Sequence, residues 1–407
     1  MKHQKIANIL TVLLFVIPLA LGLILFVALP DKDFSEEENR DLQTFPKLTW
    51  KSLSEGKFGQ EMNEYFADQF PARDALVGLK GLSELALGKG ENNGVVLGKD
   101  GRLAVRWFDA YVDRLTRVYD TDFYAKESID AQTSALNDLQ AELAAKNIPL
   151  TVIIPPRTLD VVGGQTNYPM QSTDALWADI DAGLDDSVSY PDLRKIMQDA
   201  YASGEYVYYR TDHHWTTKGA YTAYAAVLKS WGMEADILPQ DFFTVRSVPG
   251  FYGTTYSRSG MYFTLPDTLE IWEAADGSDS RFTVLEPGGD HSDEGKTVIE
   301  SGFISESYLE GKDKYGAFLD GTHRILLITD KEAAARGESR PRLLLARDSF
   351  ANSMVPFLAR HFDICMVNLS GGMTNLSELA AEYSCERVLI VCNRENLVTA
   401  DCLNNLK

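Results

Sequence analysis

Cysteine is scarce in this 407-residue sequence: there are four, at 365, 385, 392 and 402. Their spacing matches no zinc pattern, so a structural zinc module is excluded. Disulfides among them are permitted, while Cys365 and Cys392 sit in apolar runs where a buried free thiol is expected. Positive charge is also short. Thirty-nine Lys and Arg stand against 59 Asp and Glu, a net charge of −20, which repels polyanions and excludes nucleic acid as a partner. No glycine-rich phosphate loop, internal repeat or low-complexity tract is found. The six histidines show no paired metal-ligand spacing apart from the adjacent His213 and His214, which rarely converge on one ion. Neither a metal nor a cofactor is expected. Hydrophobic residues at 45% and charged ones at 24% are ordinary globular usage and exclude a disordered or polytopic membrane chain.

One long apolar run is present. From Ile9 to Leu29 no charge occurs, and about 20 such residues cross a bilayer as a helix. Lys2 and Lys5 precede it and Asp31, Asp33, Glu36, Glu37 and Glu38 follow, which orients the rest of the chain outward. A cleaved signal peptide is the rival, but Phe26-Val27-Ala28-Leu29-Pro30 lacks an A-x-A-like site. The expected map is a cytoplasmic start at 1–8, a membrane anchor at 9–29, an extracytoplasmic stalk at 30–60 and a catalytic domain at 61–407, with the lipid bilayer as a partner.

The exported part carries short β-branched or leucine-rich runs at 149–154, 324–329, 342–346, 362–368 and 387–392, each of the kind buried on both faces of a sheet. Helical patterns separate them, at 123–146, 217–231, 354–361 and 376–383, and another helix is read over 59–70. The fold class is therefore α/β, with a central parallel sheet covered by helices. Ligand sites in such sheets lie beyond the carboxyl ends of strands.

Two segments carry chemistry. In Thr211-Asp212-His213-His214-Trp215-Thr216, Thr216 can cap a helix, and Asp212 and His214 project to one side of the turn before it. A carboxylate so placed can hold one imidazole nitrogen while the other faces substrate, and His213 points elsewhere. The same residues could equally form a solvated polar turn. In Leu343-Leu344-Leu345-Ala346-Arg347-Asp348-Ser349-Phe350, an apolar strand delivers a serine to a helix start, where free N–H groups can hold an oxyanion. Ser349 could instead be a plain helix cap, and Pro356 favours a helix starting near Asn352. Asp348 reads as a turn-former.

Together these residues resemble a known group. Asp212-His213-His214-Trp215 is the motif that names the DHHW family, and Asp348-Ser349-Phe350 resembles its serine turn, within the SGNH-hydrolase-like superfamily that includes alginate O-acetyltransferase-type proteins. Glu38-Asn39-Arg40 with Pro46, the run 66–73, and Gly98-Lys99-Asp100-Gly101 are similar to further family landmarks. The resemblance implies an SGNH-hydrolase-like, flavodoxin-like three-layer fold and a catalytic triad of Ser349, His214 and Asp212. It also implies that 315–323 helps line the site; Thr322 stands where relatives carry an amide, which leaves the Gly321 N–H for the oxyanion. Gly321, Phe350, Trp215, Arg258 and Tyr256 are the expected oxyanion- and substrate-lining residues. The implied activity is O-acetyl transfer to a cell-surface polysaccharide, with a multipass membrane O-acyltransferase as donor-side partner. A carbohydrate acetylesterase and a non-catalytic export scaffold are the alternatives.

Overall fold

The computed structural model describes residues 2–105, 125–163, 172–288, 295–371, 375–400, 402, 403 and 406. The first residues of the expected 123–146 helix lie outside them. The chain divides into two compact units, Met1–Asn93 with Tyr256–Thr264, and Gly94–Thr255 with Leu265–Lys407. Residues 61–93, grouped by the sequence reading with the catalytic domain, thus belong to the first unit.

In the first unit, α1 (Lys2–Ala28) contains a stretch, Lys5–Ala28, of mean hydropathy 3.0 that is long and apolar enough to cross a membrane. Helices α2 (Trp50–Ser54), α3 (Lys57–Asp68) and α4 (Arg73–Ala86) follow. Thr49 and Ser52 close a capping box at the start of α2, satisfying its otherwise free N–H groups. The strands are short: β1 (Phe34–Ser35) pairs antiparallel with β2 (Arg40–Asp41), and β3 (Glu91–Asn92) comes last. The landmark residues have a structural reason here. Arg40 binds Asp68 through both guanidinium nitrogens, at 2.5 and 2.8 Å, and Arg73 binds Glu38 at 2.6 Å, a bidentate geometry that fixes orientation as well as charge.

The second unit opens with β4 (Val95–Leu97) paired antiparallel with β5 (Leu103–Val105). Its centre is a seven-stranded sheet built from β6 (Leu150–Ile153), β9 (Phe282–Glu286), β10 (Lys296–Ile299), β11 (Ile325–Asp330), β12 (Arg342–Arg347), β13 (Asp363–Asn368) and β14 (Arg387–Val391) in the order β10-β9-β11-β13-β12-β14-β6. A separate antiparallel hairpin joins β7 (Phe243–Phe251) to β8 (Asp267–Ala274).

The sheet is mixed. β13, β12, β14 and β6 pair in parallel, while the pairings β13-β11, β11-β9 and β9-β10 are antiparallel. The run at 324–329 was expected to be parallel. A strand buried on both faces reads the same in either direction, so its composition carries no polarity.

Alternation along β12 builds the layers. Leu343 and Leu345 face one core with α8 (Leu193–Ala202), α9 (Thr217–Ser230), Phe350 and Phe357. Leu344 and Ala346 face the other, with α5 (Lys126–Ala144) and α7 (Asp174–Gly183). Between β6 and α7 lies α6 (Thr158–Val162). Burying each leucine contributes roughly 1.5–3 kcal/mol, so β12 is strongly pinned. The carboxyl ends of β6, β12 and β14 stand side by side, with Arg347 opposite Val391 and Val391 opposite Ile153.

Cysteine departs from expectation at one position: Cys392 is bonded to Cys402, while Cys365 and Cys385 are buried free thiols. Both are buried: Cys392 directly follows β14, and the chain brings Cys402 back to it after the helix Arg394–Thr399, so proximity rather than hydrophobicity decides their state.

Candidate active site

The Asp212 segment is a tight loop closed by a bridge between Tyr208 and Trp215. Buried Asp267 holds one side of it, accepting from the N–H groups of Arg210 (3.0 Å) and Thr211 (2.8 Å) and from the Thr211 hydroxyl (2.6 Å). Thr216 caps α9 by accepting from Gly219 N–H at 3.1 Å. With both ends fixed, Asp212 Oδ1 accepts from the backbone N–H of His214 (2.9 Å) and lies 2.6 Å from its Nδ1. The ring therefore donates from Nδ1 and leaves Nε2 as acceptor. That nitrogen is 2.7 Å from Ser349 Oγ. Residues 135 positions apart in sequence thus form a continuous hydroxyl-imidazole-carboxylate chain.

The serine turn begins where β12 ends. Asp348, not Ser349, is the cap: its Oδ1 accepts from Phe350 N–H at 3.1 Å, and a 3-10 turn runs over Ser349–Ser353. The helix beyond is only Val355–Leu358, with Pro356 in its first turn. Asp348 Oδ2 accepts from the Asn393 N–H (2.5 Å), the Asn393 amide (2.7 Å) and the Asn396 amide (3.1 Å). These donors stabilise a carboxylate whose burial pushes its pKa up. Among the described residues, the N–H groups of Ser349 and Gly321 donate to no protein acceptor. The Asn352 amide donates to the Gly321 carbonyl at 3.1 Å, and Gly321 has φ +88°.

Among the supporting residues, Thr254, Gly253 and Ser353 carried no sequence signal, whereas Tyr315 falls in the segment the resemblance implied. Thr254 donates to Asp212 Oδ2 from its N–H (2.7 Å) and its hydroxyl (3.0 Å), and the same hydroxyl is 2.7 Å from His213 Nδ1. His213 does not point away; its ring packs on His214 with centroids 3.9 Å apart. Gly253 lets the backbone approach Asp212 so closely that a Cβ there would lie 2.2 Å from the Asp212 Cβ. Tyr315 stacks on His214 at 3.9 Å and 10° and donates to the Ser349 carbonyl at 3.1 Å. Ser353 completes a chain, accepting from the Trp215 indole (3.1 Å) and meeting the Tyr315 hydroxyl (3.1 Å).

The remaining expected lining residues fall as follows. Trp215 is fully buried against Phe350. Phe350 is buried and, with His213, Pro155, Arg157, Asn393 and Glu395, lines a narrow, shallow cleft. Tyr256 and Arg258 belong to the first unit, Tyr256 donating to Glu37 at 2.6 Å and Arg258 to the Asn93 carbonyl at 3.3 Å.

Burial pulls the His214 pKa down to about 4, helped by His213 and opposed by Asp212, so the imidazole is neutral near pH 7. Burial acts to raise Asp212, but His214, His213 and the hydrogen bonds to His214 outweigh it and hold the carboxyl low. Asp212, His213 and His214 could in principle gather on a metal ion, their ligand atoms lying within 4.8 Å. The 2.6 Å contact between Asp212 and His214 is shorter than the ~3 Å that separates two ligands of one tetrahedral zinc, and suits a hydrogen bond instead.

The mixed sheet with helices on both faces has an SGNH hydrolase-like fold. The family model described as the SGNH hydrolase-like domain of acetyltransferase AlgX matches residues 95–249. Among solved structures, the chain is similar to a DHHW family protein from Eubacterium siraeum DSM 15702, with a TM-score of 0.57 and 18% identity over 78% of this chain and 97% of that one. It is also similar to Bacillus cereus PatB1 with a sulfonyl adduct, with a TM-score of 0.58 and 18% identity over 70% of this chain and 93% of that one. At such identity these likenesses speak for the fold alone. A search of the curated proteins returns no match.

Proposed function

We propose that this chain is a membrane-anchored, extracytoplasmic O-acetyltransferase that moves acetyl groups onto hydroxyls of a cell-surface polysaccharide. The observation that carries the reading is the 2.7 Å contact from Ser349 Oγ to an imidazole whose other nitrogen is held by Asp212. Ser349 attacks the acetyl carbonyl while His214 takes its proton, and the Ser349 and Gly321 N–H groups stabilise the oxyanion. His214 returns the proton to the leaving group, and Ser349 is left as an acetyl ester. A sugar hydroxyl then attacks that ester with His214 as base, releasing the acetylated sugar and free Ser349. Arg157 and Glu395 lie 3.6 Å apart in the neighbouring cleft, so their charges largely cancel. A neutral, hydroxyl-rich acceptor suits such a lining. The match to an acetyltransferase family model supports acetyl as the group moved. The N-terminal helix supports anchoring at 9–29; the multipass membrane O-acyltransferase that would supply the acetyl group is what the family resemblance implies.

The test is intact-mass analysis of the purified full chain given an activated acetyl ester. One acetyl group is expected on Ser349, absent in Ser349→Ala, and acetylated sugar is expected once oligosaccharide is added. Asp212→Asn should slow acetylation by about 10³–10⁴-fold, the scale set by losing the orienting carboxylate of a triad. Release to water alone would make the chain a carbohydrate esterase. No labelling of Ser349 at all would defeat the catalytic reading and leave an export scaffold.

A further inference from the structure

In α4 most of the large apolar side chains lie on the outward face. The inward face holds Val77, which packs near Gly260, and the part-buried Leu85, but its closest contacts are made by small or polar residues. A Cβ on Gly81 would lie 2.7 Å from the Gly260 carbonyl oxygen, and one on Gly78 would touch the Tyr262 ring. Arg73 pairs inward with Glu38 at 2.6 Å, and Asp74 accepts from Ser35 at 3.4 Å. Three of the four leucines within α4 face out: Leu76, Leu79 and Leu82, three apart, form an exposed stripe, and Leu87 just past the helix end is 88% exposed. Lys80 borders the stripe, paired with Glu84 at 3.1 Å. Small residues at the packing face and large apolar ones outside is how helices pack when their surroundings are hydrocarbon. In water such a stripe signals a contact surface.

The same unit shows what covers it. Phe70, three residues before α4, sets its ring against α1, where a Cβ on Gly22 would lie 3.3 Å from it. Phe26 of α1 packs on Tyr65 and Phe66 of α3, with centroids 5.7 and 5.4 Å away. Gly22 precedes Leu29, the end of the apolar run, by seven residues, or about 10 Å of helix. If α1 spans the bilayer, the α3–α4 corner therefore sits at acyl-chain depth, the 5–10 Å reached by interfacial helices. Trp50, 87% exposed and flanked by Lys47 and Lys51, adds the aromatic and basic residues typical of that interface.

We propose that α4 seats in the outer leaflet with its leucine stripe on lipid acyl chains, giving the chain a second membrane contact beside α1. This rests on the anchor reading above. The test uses the full chain in phosphatidylcholine vesicles, with Cys365→Ala and Cys385→Ala as background and a nitroxide placed singly at Leu79→Cys, Leu14→Cys or Lys195→Cys. Leu14 is an exposed position on α1, and Lys195 lies on the surface of the other unit. Collisions with oxygen should exceed those with a water-soluble nickel chelate at 79 and 14, and the order should reverse at 195. An aqueous 79 beside a lipid-embedded 14 overturns the seat and spares the anchor. An aqueous 14 overturns the anchor, and the seat with it. A label at 79 shielded from both reagents, or disulfide cross-linking between unlabelled chains of the Leu79→Cys variant, assigns the stripe to a protein partner or second copy and also overturns the proposal.

Discussion

At the scale of single residues, the buried His214 makes a prediction about pH. The base must be neutral to accept the Ser349 proton, and its pKa is pulled down to about 4, below the usual 6.5. Activity should therefore persist through mildly acidic pH and fall only as pH drops through about 4, in a profile of kcat/KM against pH. His213 contributes to that depression by like-charge repulsion, so His213→Asn should move the acid limb upward. An unmoved limb would remove His213 from the electrostatics of the site. Tyr315 plays a positioning role. Its burial pushes the phenol pKa up, keeping the hydroxyl a donor to the Ser349 carbonyl. Tyr315→Phe, which keeps the stack, should lower kcat by no more than about tenfold, the value of one neutral hydrogen bond. Tyr315→Leu should lower it further with KM little changed, because the imidazole loses its stacked face.

Among the elements, the loop Tyr208–Trp215 and the segment at 253–254 act as one clamp. Asp212 was recognisable because its type and i, i+2 spacing to His214 carry chemistry by themselves. Thr254 and Gly253 were not, since they stand 41 to 42 residues away and only the fold brings them to the carboxylate. Gly253→Ala should displace Asp212, lowering activity far more than a surface substitution while circular dichroism stays native. Full activity in that variant would show that the clamp is dispensable. Likewise, Ser349 was legible at the end of an apolar strand. The cap itself moved by one residue, because Asp348 finds donors in Asn393 and Asn396 that belong to a distant turn. The direction of β11 was illegible for a different reason, its leucines and isoleucines being equally at home in a parallel or antiparallel neighbour.

Over the whole molecule, two faces of apolar side chains pin β12 between helical layers, and the turn that carries Ser349 rides on that strand. Arg394, adjacent to Asn393, is buried and bound to Asp160 through both carboxylate oxygens at 2.7 Å. Burial pulls its pKa down to about 10, and it stays charged at neutral pH. Arg394→Met should cost several kcal/mol by leaving Asp160 buried without its partner, measured as a lower urea midpoint. A neutral change in that midpoint would mean that water reaches Asp160.

The bond between Cys392 and Cys402 closes a ten-residue loop holding Asn393 and Asn396, the donors to the Asp348 cap. Closing a loop of that length is worth roughly 3 kcal/mol, and here the benefit falls on the turn that carries Ser349. Chain synthesised where thiols stay reduced would keep its sheet yet hold Ser349 loosely. On the export proposed above, oxidation of this pair would tighten the turn, so reducing the bond with dithiothreitol should lower the rate of Ser349 acetylation; an unchanged rate would show that the loop holds without it.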